Sequence, residues 1–154
     1  NLVDPLGLDA TCSCSERGVE VEIATNFITS PDTQQHASRV TRAIEQGWSN
    51  SWFHVTVTKS SDGPNTVRFL PGSGDSYVRN SRHGVFSAGA PDWTYMHEGG
   101  HFMYLPDRYD RKTFEPHPGY EKSVMGRWGN PVNDGDRMEA MIAMGCKCSC
   151  PAPD

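Results

Sequence analysis

The sequence lacks a long hydrophobic run, and it lacks an excess of positive charge. None of its apolar stretches approaches the roughly 20 residues that a membrane-spanning helix needs, and no signal-peptide pattern opens the chain. The chain has 14 Lys and Arg against 19 Asp and Glu, a formal net charge of −5. A surface that binds nucleic acid needs clustered cations instead. We therefore expect neither a membrane span nor a nucleic-acid partner.

Cysteine is scarce and unevenly placed. The chain has five cysteines, two near its beginning and three near its end: Cys12, Cys14, Cys146, Cys148 and Cys150. Because the two members of a C-x-C pair rarely bond each other, the simplest framework joins the first pair to two of the last three and leaves one thiol over. The alternative is a second, structural metal site of thiolates, although C-x-C differs from the usual zinc spacing. Disulfides would indicate an oxidising destination.

The patterns of apolar residues predict a single α+β domain, for which 154 residues are sufficient. Residues 19–23 alternate apolar and charged side chains, as a half-buried strand does. Ser30 and Pro31 give the signals of a helix start, and Gly47 is a natural stop. The same reasoning predicts further elements: strands at residues 53–58, 67–69 and 84–88, an active-site helix from Pro91 and Asp92, and a last helix over residues 136–144.

Residues 97–107 have the spacing of metal ligands. On a helix, His97 and His101 lie one turn apart on the same face, so both imidazoles can reach one metal ion. Glu98 can accept a proton from a metal-bound water without being a ligand itself. Asp107 follows six residues after His101. If the chain turns back after Met103, the Asp107 carboxylate can be a third ligand and leave a fourth position open for water, as in catalytic zinc sites.

Together with Ser123-Val124-Met125-Gly126 downstream, this motif resembles that of metzincin metalloproteases with an aspartate third ligand, and it is similar to that of the snapalysin-type bacterial enzymes. The resemblance implies a zincin-like fold, in which a twisted mixed sheet is accompanied by a backing helix, an active-site helix, a methionine turn and a C-terminal helix. It also implies that residues 84–88 form the edge strand, antiparallel to a bound peptide.

The same resemblance implies an activity and a set of roles. It predicts a zinc metalloendopeptidase in which Zn²⁺ is held by His97, His101 and Asp107. Glu98 would be the general base, acting on a zinc-bound water that hydrolyses the peptide bond. Met125 would lie beneath the histidines without binding the metal.

Tyr104 departs from the family pattern, which has glycine at this position. Glycine lets the chain leave the helix at positive φ, so we expect steric strain at Tyr104. If that strain misplaces Asp107, three residues are backup third ligands, with the histidine first because imidazole suits zinc: Asp110, Glu115 and His117. An alternative function also follows, namely a non-catalytic zincin-fold binding domain whose metal is structural or lost.

The first residues resemble a second family. Asp4-Pro5-Leu6-Gly7-Leu8 is similar to the junction that ends the core of RHS-repeat proteins, polymorphic toxins whose β-rich shell encloses a variable C-terminal toxin domain. The resemblance implies a junction and cysteine-containing lead-in at 1–16, a metzincin-like protease at 17–145 and a cysteine-rich tail at 146–154. It also implies a secreted effector that a bacterial secretion system delivers into a target cell. Its partners would be target proteins, a cognate immunity protein and the RHS shell.

Overall fold

A computed structural model describes residues 10–148 and has a mixed α and β fold, which confirms the predicted α+β class. The described range contains six strands and three helices. The strands are β1 (Ala10–Ser15), β2 (Gly18–Ile28), β3 (Phe53–Lys59), β4 (Asn65–Leu70), β5 (Tyr77–Arg79) and β6 (His83–Ser87). The helices are α1 (Gln34–Trp48), α2 (Asp92–Phe102) and α3 (Asp134–Ala143). Within the described range, no helix is both long and apolar enough to cross a membrane.

The strands form one curled mixed sheet with β2 at its centre. β2 pairs with β3 along one edge, while β1 and then β4 share its other edge. Val21, for example, lies between Cys12 and Val55. The order continues from β4 to β6 and β5, and only β1 and β5 run antiparallel to their neighbours among the pairs described. Because β2 and β3 are parallel, α1 serves as their crossover connection.

The core lies between this sheet and the helices. In β2, Val19, Val21 and Ile23 are buried and Glu22 is exposed, which is the predicted alternation of a half-buried strand. Helix α1 buries one stripe of residues against the sheet and α2, as its helical spacing predicts: Ala37, Val40, Ala43, Ile44 and Trp48. Helix α1 therefore packs against both α2 and β3.

The predicted bounds of α1 are wrong at both ends. The helix begins at Gln34 with Thr33 as its N-cap, because residues 31–33 form a turn in which the Ser30 N–H donates to Thr33 Oγ1 at 2.8 Å. It also continues through Gly47 to Trp48. A Cβ at Gly47 would lie 2.1 Å from Met96 Sδ. Gly47 therefore lets the Met96 side chain of α2 approach α1 closely, and it does not end the helix.

β6 is not the edge strand that the sequence predicted for residues 84–88. β5 pairs with residues 83–85 of β6. Beyond that pairing, the Ser87 N–H donates to Ser76 Oγ at 3.0 Å and the Ser87 hydroxyl donates to the Gly74 carbonyl at 2.6 Å. The edge on this side of the sheet is therefore β5, a strand too short and too polar for its pattern to reveal.

Two disulfides close the described chain on itself. Cys12 bonds Cys146 and Cys14 bonds Cys148, so β1 is joined to the segment that follows α3. The predicted framework is confirmed, and these four cysteines do not form the alternative thiolate metal site. Cys150 lies outside the described residues. Disulfides persist in oxidising environments, which suits an extracellular or similarly oxidising location.

Candidate metal centre

Helix α2 presents two imidazoles and a carboxylate in one cluster. His97, Glu98 and His101 offer ligand atoms that lie within 4.8 Å of one another. His97 and Glu98 are almost fully buried, with exposed fractions of 6% and 5%. Met96, the residue before His97, anchors α2 to α1, because the Trp48 indole N–H donates to the Met96 carbonyl at 2.8 Å. This cluster can hold a metal ion.

The chain leaves α2 through a left-handed residue. Tyr104 has φ = 68°. Its N–H donates to the His101 carbonyl at 3.1 Å, and the Leu105 N–H donates to the Gly100 carbonyl at 3.0 Å. These two bonds define a Schellman motif, in which the left-handed position is normally glycine. Tyrosine occupies the conformation that the sequence predicted to be strained, and the chain still turns back toward the helix.

This turn brings Asp107 to the two histidines. Its Oδ1 lies 3.1 Å from His97 Nε2 and 3.1 Å from His101 Nε2. Two ligand atoms bound to one tetrahedral zinc ion at about 2.0 Å lie about 3.3 Å apart. Glu98 Oε2 is farther from His101 Nε2, at 4.0 Å. By distance, Asp107 is therefore a better third ligand than Glu98.

The other ring nitrogen of each histidine fixes its orientation. His97 Nδ1 lies 2.9 Å from the Val124 carbonyl oxygen, and His101 Nδ1 lies 2.7 Å from that of Leu105. Because a carbonyl only accepts, both Nδ1 atoms carry the proton, and each neutral imidazole directs its Nε2 lone pair at Asp107. Three acceptor atoms then converge, so protons or a cation must lie between them.

The charge of Asp107 is well supported. Burial by itself raises the pKa of the Asp107 carboxyl, but its side-chain hydrogen bonds with His101 and His97 outweigh burial and hold that pKa below its ordinary value of 3.8. The second carboxylate oxygen, Oδ2, accepts from Arg111 Nη2 at 3.0 Å. Asp107 therefore offers one oxygen, Oδ1, to the cluster, and a cation of suitable size can replace the protons there.

Glu98 differs from Asp107 in both its bonding and its pKa. Its Oε2 is buried without a hydrogen-bond partner among the described residues. Burial is the main cause that raises the pKa of Glu98 from 4.5 to about 8, while His97 lowers it and the negative charge of Asp107 adds to the increase. A buried acceptor without a donor is costly, and a carboxyl with a pKa near neutrality can both accept and donate a proton.

Met125 packs against α2 at Gly100, in the turn that leads from His97 to His101. A Cβ at Gly100 would lie 2.5 Å from Met125 Sδ and 3.1 Å from Trp48. At Gly99 a Cβ would meet Ile44 at 3.1 Å. The two helical glycines therefore allow the Ile44, Trp48 and Met125 side chains to pack closely against α2. Met125 is itself only 1% exposed, so it forms an apolar surface against the turn that carries the histidines.

A row of aromatic rings runs from the cluster to solvent. The Tyr109 ring lies 6.2 Å from His97, and the row continues through Phe114 and Trp128 to Trp93 by centroid distances of 6.2, 5.3 and 6.0 Å. Phe114 and Trp128 are each 57% exposed. Sequence reasoning missed Tyr109, although its place two residues after Asp107 was a usable signal. Burial raises the pKa of Tyr109, and the Asp107 and Glu98 charges add to this, so its hydroxyl keeps its proton.

The backup ligands lie apart from the cluster. Within the described range, the group of ligand atoms that lie within 4.8 Å of one another comprises only His97, Glu98 and His101. Asp107 is outside this group and is a candidate by its 3.1 Å distances to both histidines. Asp110, Glu115 and His117 are outside the group as well. The Asp110 carboxylate instead accepts the backbone N–H groups of Lys112 and Thr113. Glu115 and His117 are exposed. By distance to the histidines, Asp107 is the better candidate for a third ligand.

The chain matches no protein-family model, and it has no significant match among curated proteins. Its function therefore has to be inferred from the residues of the cluster.

Proposed function

We propose that this chain is a zinc-dependent endopeptidase of the metzincin type. The observation that carries the proposal is the convergence of His97 Nε2, His101 Nε2 and Asp107 Oδ1, at spacings that suit one tetrahedral ion. Two imidazoles and one carboxylate are ligands that zinc accepts, and three protein ligands leave the fourth position open to water or substrate. The mixed sheet and the position of Met125 against α2 agree with a zincin-like fold.

Zinc at this position would supply a Lewis acid for the scissile carbonyl and would lower the pKa of a water molecule there. Glu98 accepts the proton of the attacking water and passes it to the leaving amine. Its free Oε2 and its pKa of about 8 support this role. A cation beside Glu98 lowers that pKa toward neutrality, where proton transfer in both directions is efficient.

The aromatic row supports a peptide substrate. Tyr109 remains a hydrogen-bond donor at neutral pH and lies beside the cluster, where negative charge develops on the carbonyl oxygen during attack. Phe114 and Trp128 offer exposed ring surface a short distance farther out. Such rings bury large apolar area against a substrate side chain at low entropic cost.

The proposal is tested by the Glu98→Gln variant, with Glu115→Gln as its matched control at an exposed site. Purified wild type and the control should cleave an unfolded protein substrate, and a chelator should stop them. Glu98→Gln should bind zinc at the same stoichiometry by elemental analysis and cleave at least 100-fold more slowly, the size of effect typical of a lost general base. Wild-type turnover in a well-folded Glu98→Gln variant would remove the assignment.

The alternative is a non-catalytic binding domain with a structural or lost metal. It follows from Tyr104, which stands where the family pattern has glycine. The 3.1 Å distances from Asp107 to both histidines argue against a lost metal site. The two hypotheses differ in outcome. A binding domain would hold zinc or no metal, cleave no substrate, and respond to Glu98→Gln no more than to Glu115→Gln.

We further propose that the peptidase is the toxin domain of an RHS-repeat protein, delivered into a competitor or host cell and neutralised by an immunity protein. The support is the Asp4-Pro5-Leu6-Gly7-Leu8 junction, which lies outside the described residues, and the two disulfides, which suit export. Expression of wild type inside bacteria should arrest growth, and expression of Glu98→Gln should not. Equal growth of the two strains, at equal protein levels, would contradict the toxin role.

A further inference from the structure

Asp136 is a buried carboxylate with more hydrogen bonds than its place in α3 requires. It is the third residue of the helix and is 4% exposed. The Asn133 side chain accepts from the Asp136 N–H at 2.9 Å, and Asp136 Oδ2 accepts from the Asn133 N–H at 3.0 Å. This reciprocal pair is a capping box, which ordinarily lies at the helix surface. It accounts for neither the burial of Asp136 nor its other oxygen.

The remaining bonds of Asp136 go to the 123–126 loop. The Ser123 hydroxyl donates to Oδ1, and the Val124 N–H donates to Oδ2 at 3.2 Å. Ser123 Oγ in turn accepts the Met125 N–H at 3.0 Å. One carboxylate therefore holds three consecutive residues of the loop.

The loop continues this chain of bonds to His97. The Met125 N–H and the Val124 carbonyl belong to the same peptide group, and that carbonyl accepts from His97 Nδ1 at 2.9 Å. The sequence of donors is thus His97 Nδ1–H, the 124–125 peptide, the Ser123 hydroxyl and finally Asp136. All the donors point the same way, and hydrogen bonds in such a row polarise one another.

We propose that Asp136 is a positioning residue for the metal centre, acting on His97 through Ser123 and the 124–125 peptide. Metal-bound histidines commonly donate their second N–H directly to a carboxylate, which orients the ring and makes the ligand nitrogen more basic. Here the carboxylate acts at a distance, because a peptide group and a hydroxyl stand between it and the imidazole. This role rests on the proposed function, since it concerns the affinity of the same site for zinc.

Three variants separate positioning from simple stability. Asp136→Asn removes the charge, and Ser123→Ala breaks the row while leaving the capping box and the Val124 bond. Asn133→Ala is the control, because it removes the helix cap and the bond from Asn133 Nδ2 to the Lys122 carbonyl but none of the bonds in the row. We expect zinc affinity, measured by competition with a chelating dye, to fall 10- to 100-fold in Asp136→Asn and about tenfold in Ser123→Ala. Asn133→Ala should stay within twofold of wild type even where it lowers the melting temperature equally.

A second measurement does not need metal. In the metal-free protein, the His97 Nδ1–H proton should give a low-field NMR signal that moves upfield in Ser123→Ala and Asp136→Asn but not in Asn133→Ala. If Asp136 were merely structural, Asp136→Asn and Asn133→Ala would change zinc affinity to the same extent at equal loss of stability, or the His97 signal would stay in place in Ser123→Ala and Asp136→Asn. Either result overturns the proposal. If Asp136→Asn does not fold, Ser123→Ala decides alone.

The outcomes also distinguish this inference from the proposed function. A wild-type chain that binds no zinc would overturn the peptidase, and the His97 signal would still decide whether the row of bonds exists. A wild-type chain that binds zinc with an affinity unaffected by Ser123→Ala and Asp136→Asn would leave the peptidase standing and overturn only the role of Asp136.

Discussion

Replacing Tyr104 by glycine and, separately, by alanine should give two proteins of different stability. Both substitutions delete the same half-buried side chain, so its lost contacts cancel in the comparison. The variants differ in what they tolerate at φ = 68°, the value that Tyr104 has in the Schellman motif. We expect the glycine variant to be the more stable of the pair.

The magnitude follows from two opposing effects. A left-handed conformation destabilises a residue with a Cβ by roughly 1–2 kcal/mol, and glycine avoids this. Glycine also gives the unfolded chain more freedom, which lowers stability by about 0.4–1 kcal/mol relative to alanine. The net advantage of Tyr104→Gly over Tyr104→Ala is then about 1 kcal/mol, or about 2–4 °C in melting temperature for a domain of this size.

Urea unfolding with a chelator present is the appropriate assay, because bound metal would add its own stabilisation. The two variants should differ in midpoint and share the same m-value, and both should bind zinc as wild type does. Equal stabilities, or a more stable alanine variant, would show that residue 104 does not adopt a left-handed conformation in solution. The turn that brings Asp107 to the histidines would then need another explanation.

Three further predictions concern the disulfides, Glu98 and Tyr109. Each disulfide closes a loop with a sequence separation of 134, which stabilises by about 5 kcal/mol in the chain-entropy model. Replacing Cys12 and Cys146 by serine should nevertheless reduce the free energy of unfolding far less than removing both disulfides, because the Cys14–Cys148 bond still closes nearly the same loop. Urea titrations in which removing the second disulfide lowers the free energy of unfolding by as little as removing the first did, so that the two losses are equal and additive, would contradict this. Burial raises the folded-state pKa of Glu98 from 4.5 to about 8, so between these pH values the metal-free folded protein holds a proton that the unfolded chain has lost. Its free energy of unfolding should therefore fall as pH rises through this window, by on the order of 2–4 kcal/mol, and Glu98→Gln should lack that part of the slope; parallel pH profiles for the two proteins would argue against the shift. Tyr109→Phe should lower kcat by about 10²-fold with little change in zinc affinity, as expected for a lost donor to the developing oxyanion, and unchanged kcat in steady-state assays would exclude that role.

The arrangement of the cluster was largely predictable from sequence because its geometry is local. His97, Glu98 and His101 are related by helical spacing alone, and Asp107 reaches them through a turn closed by bonds within the same 11 residues. The positive φ at Tyr104 was suggested only by the resemblance, because the family pattern has glycine at this position. The identity of the metal and the hydrolysis of peptide bonds by this cluster stay predictions.

The parts that sequence did not reveal depend on contacts between distant segments. β1 was missed because its small polar residues form a strand only through pairing with β2 and through the two disulfides. Asp136 was placed in the last helix but not recognised as a partner of Ser123, which is 13 residues away on another element. Burial against a particular neighbour decides such roles, and a single sequence does not encode that neighbour in any local pattern.

The interior of α2 contradicts ordinary helix design, and this supports a functional cluster. Gly99 and Gly100 each destabilise a helix interior by about 1 kcal/mol relative to alanine. Glu98 adds a buried oxygen without a hydrogen-bond donor, which destabilises the fold by about 1–3 kcal/mol. The fold compensates from outside the helix, through the close packing of Ile44 and Met125 against the two glycines. Side chains that break local rules while their surroundings are built to hold them are characteristic of sites kept for chemistry. A cation beside Glu98 would remove the largest of these penalties, so the cluster and its ion would stabilise each other.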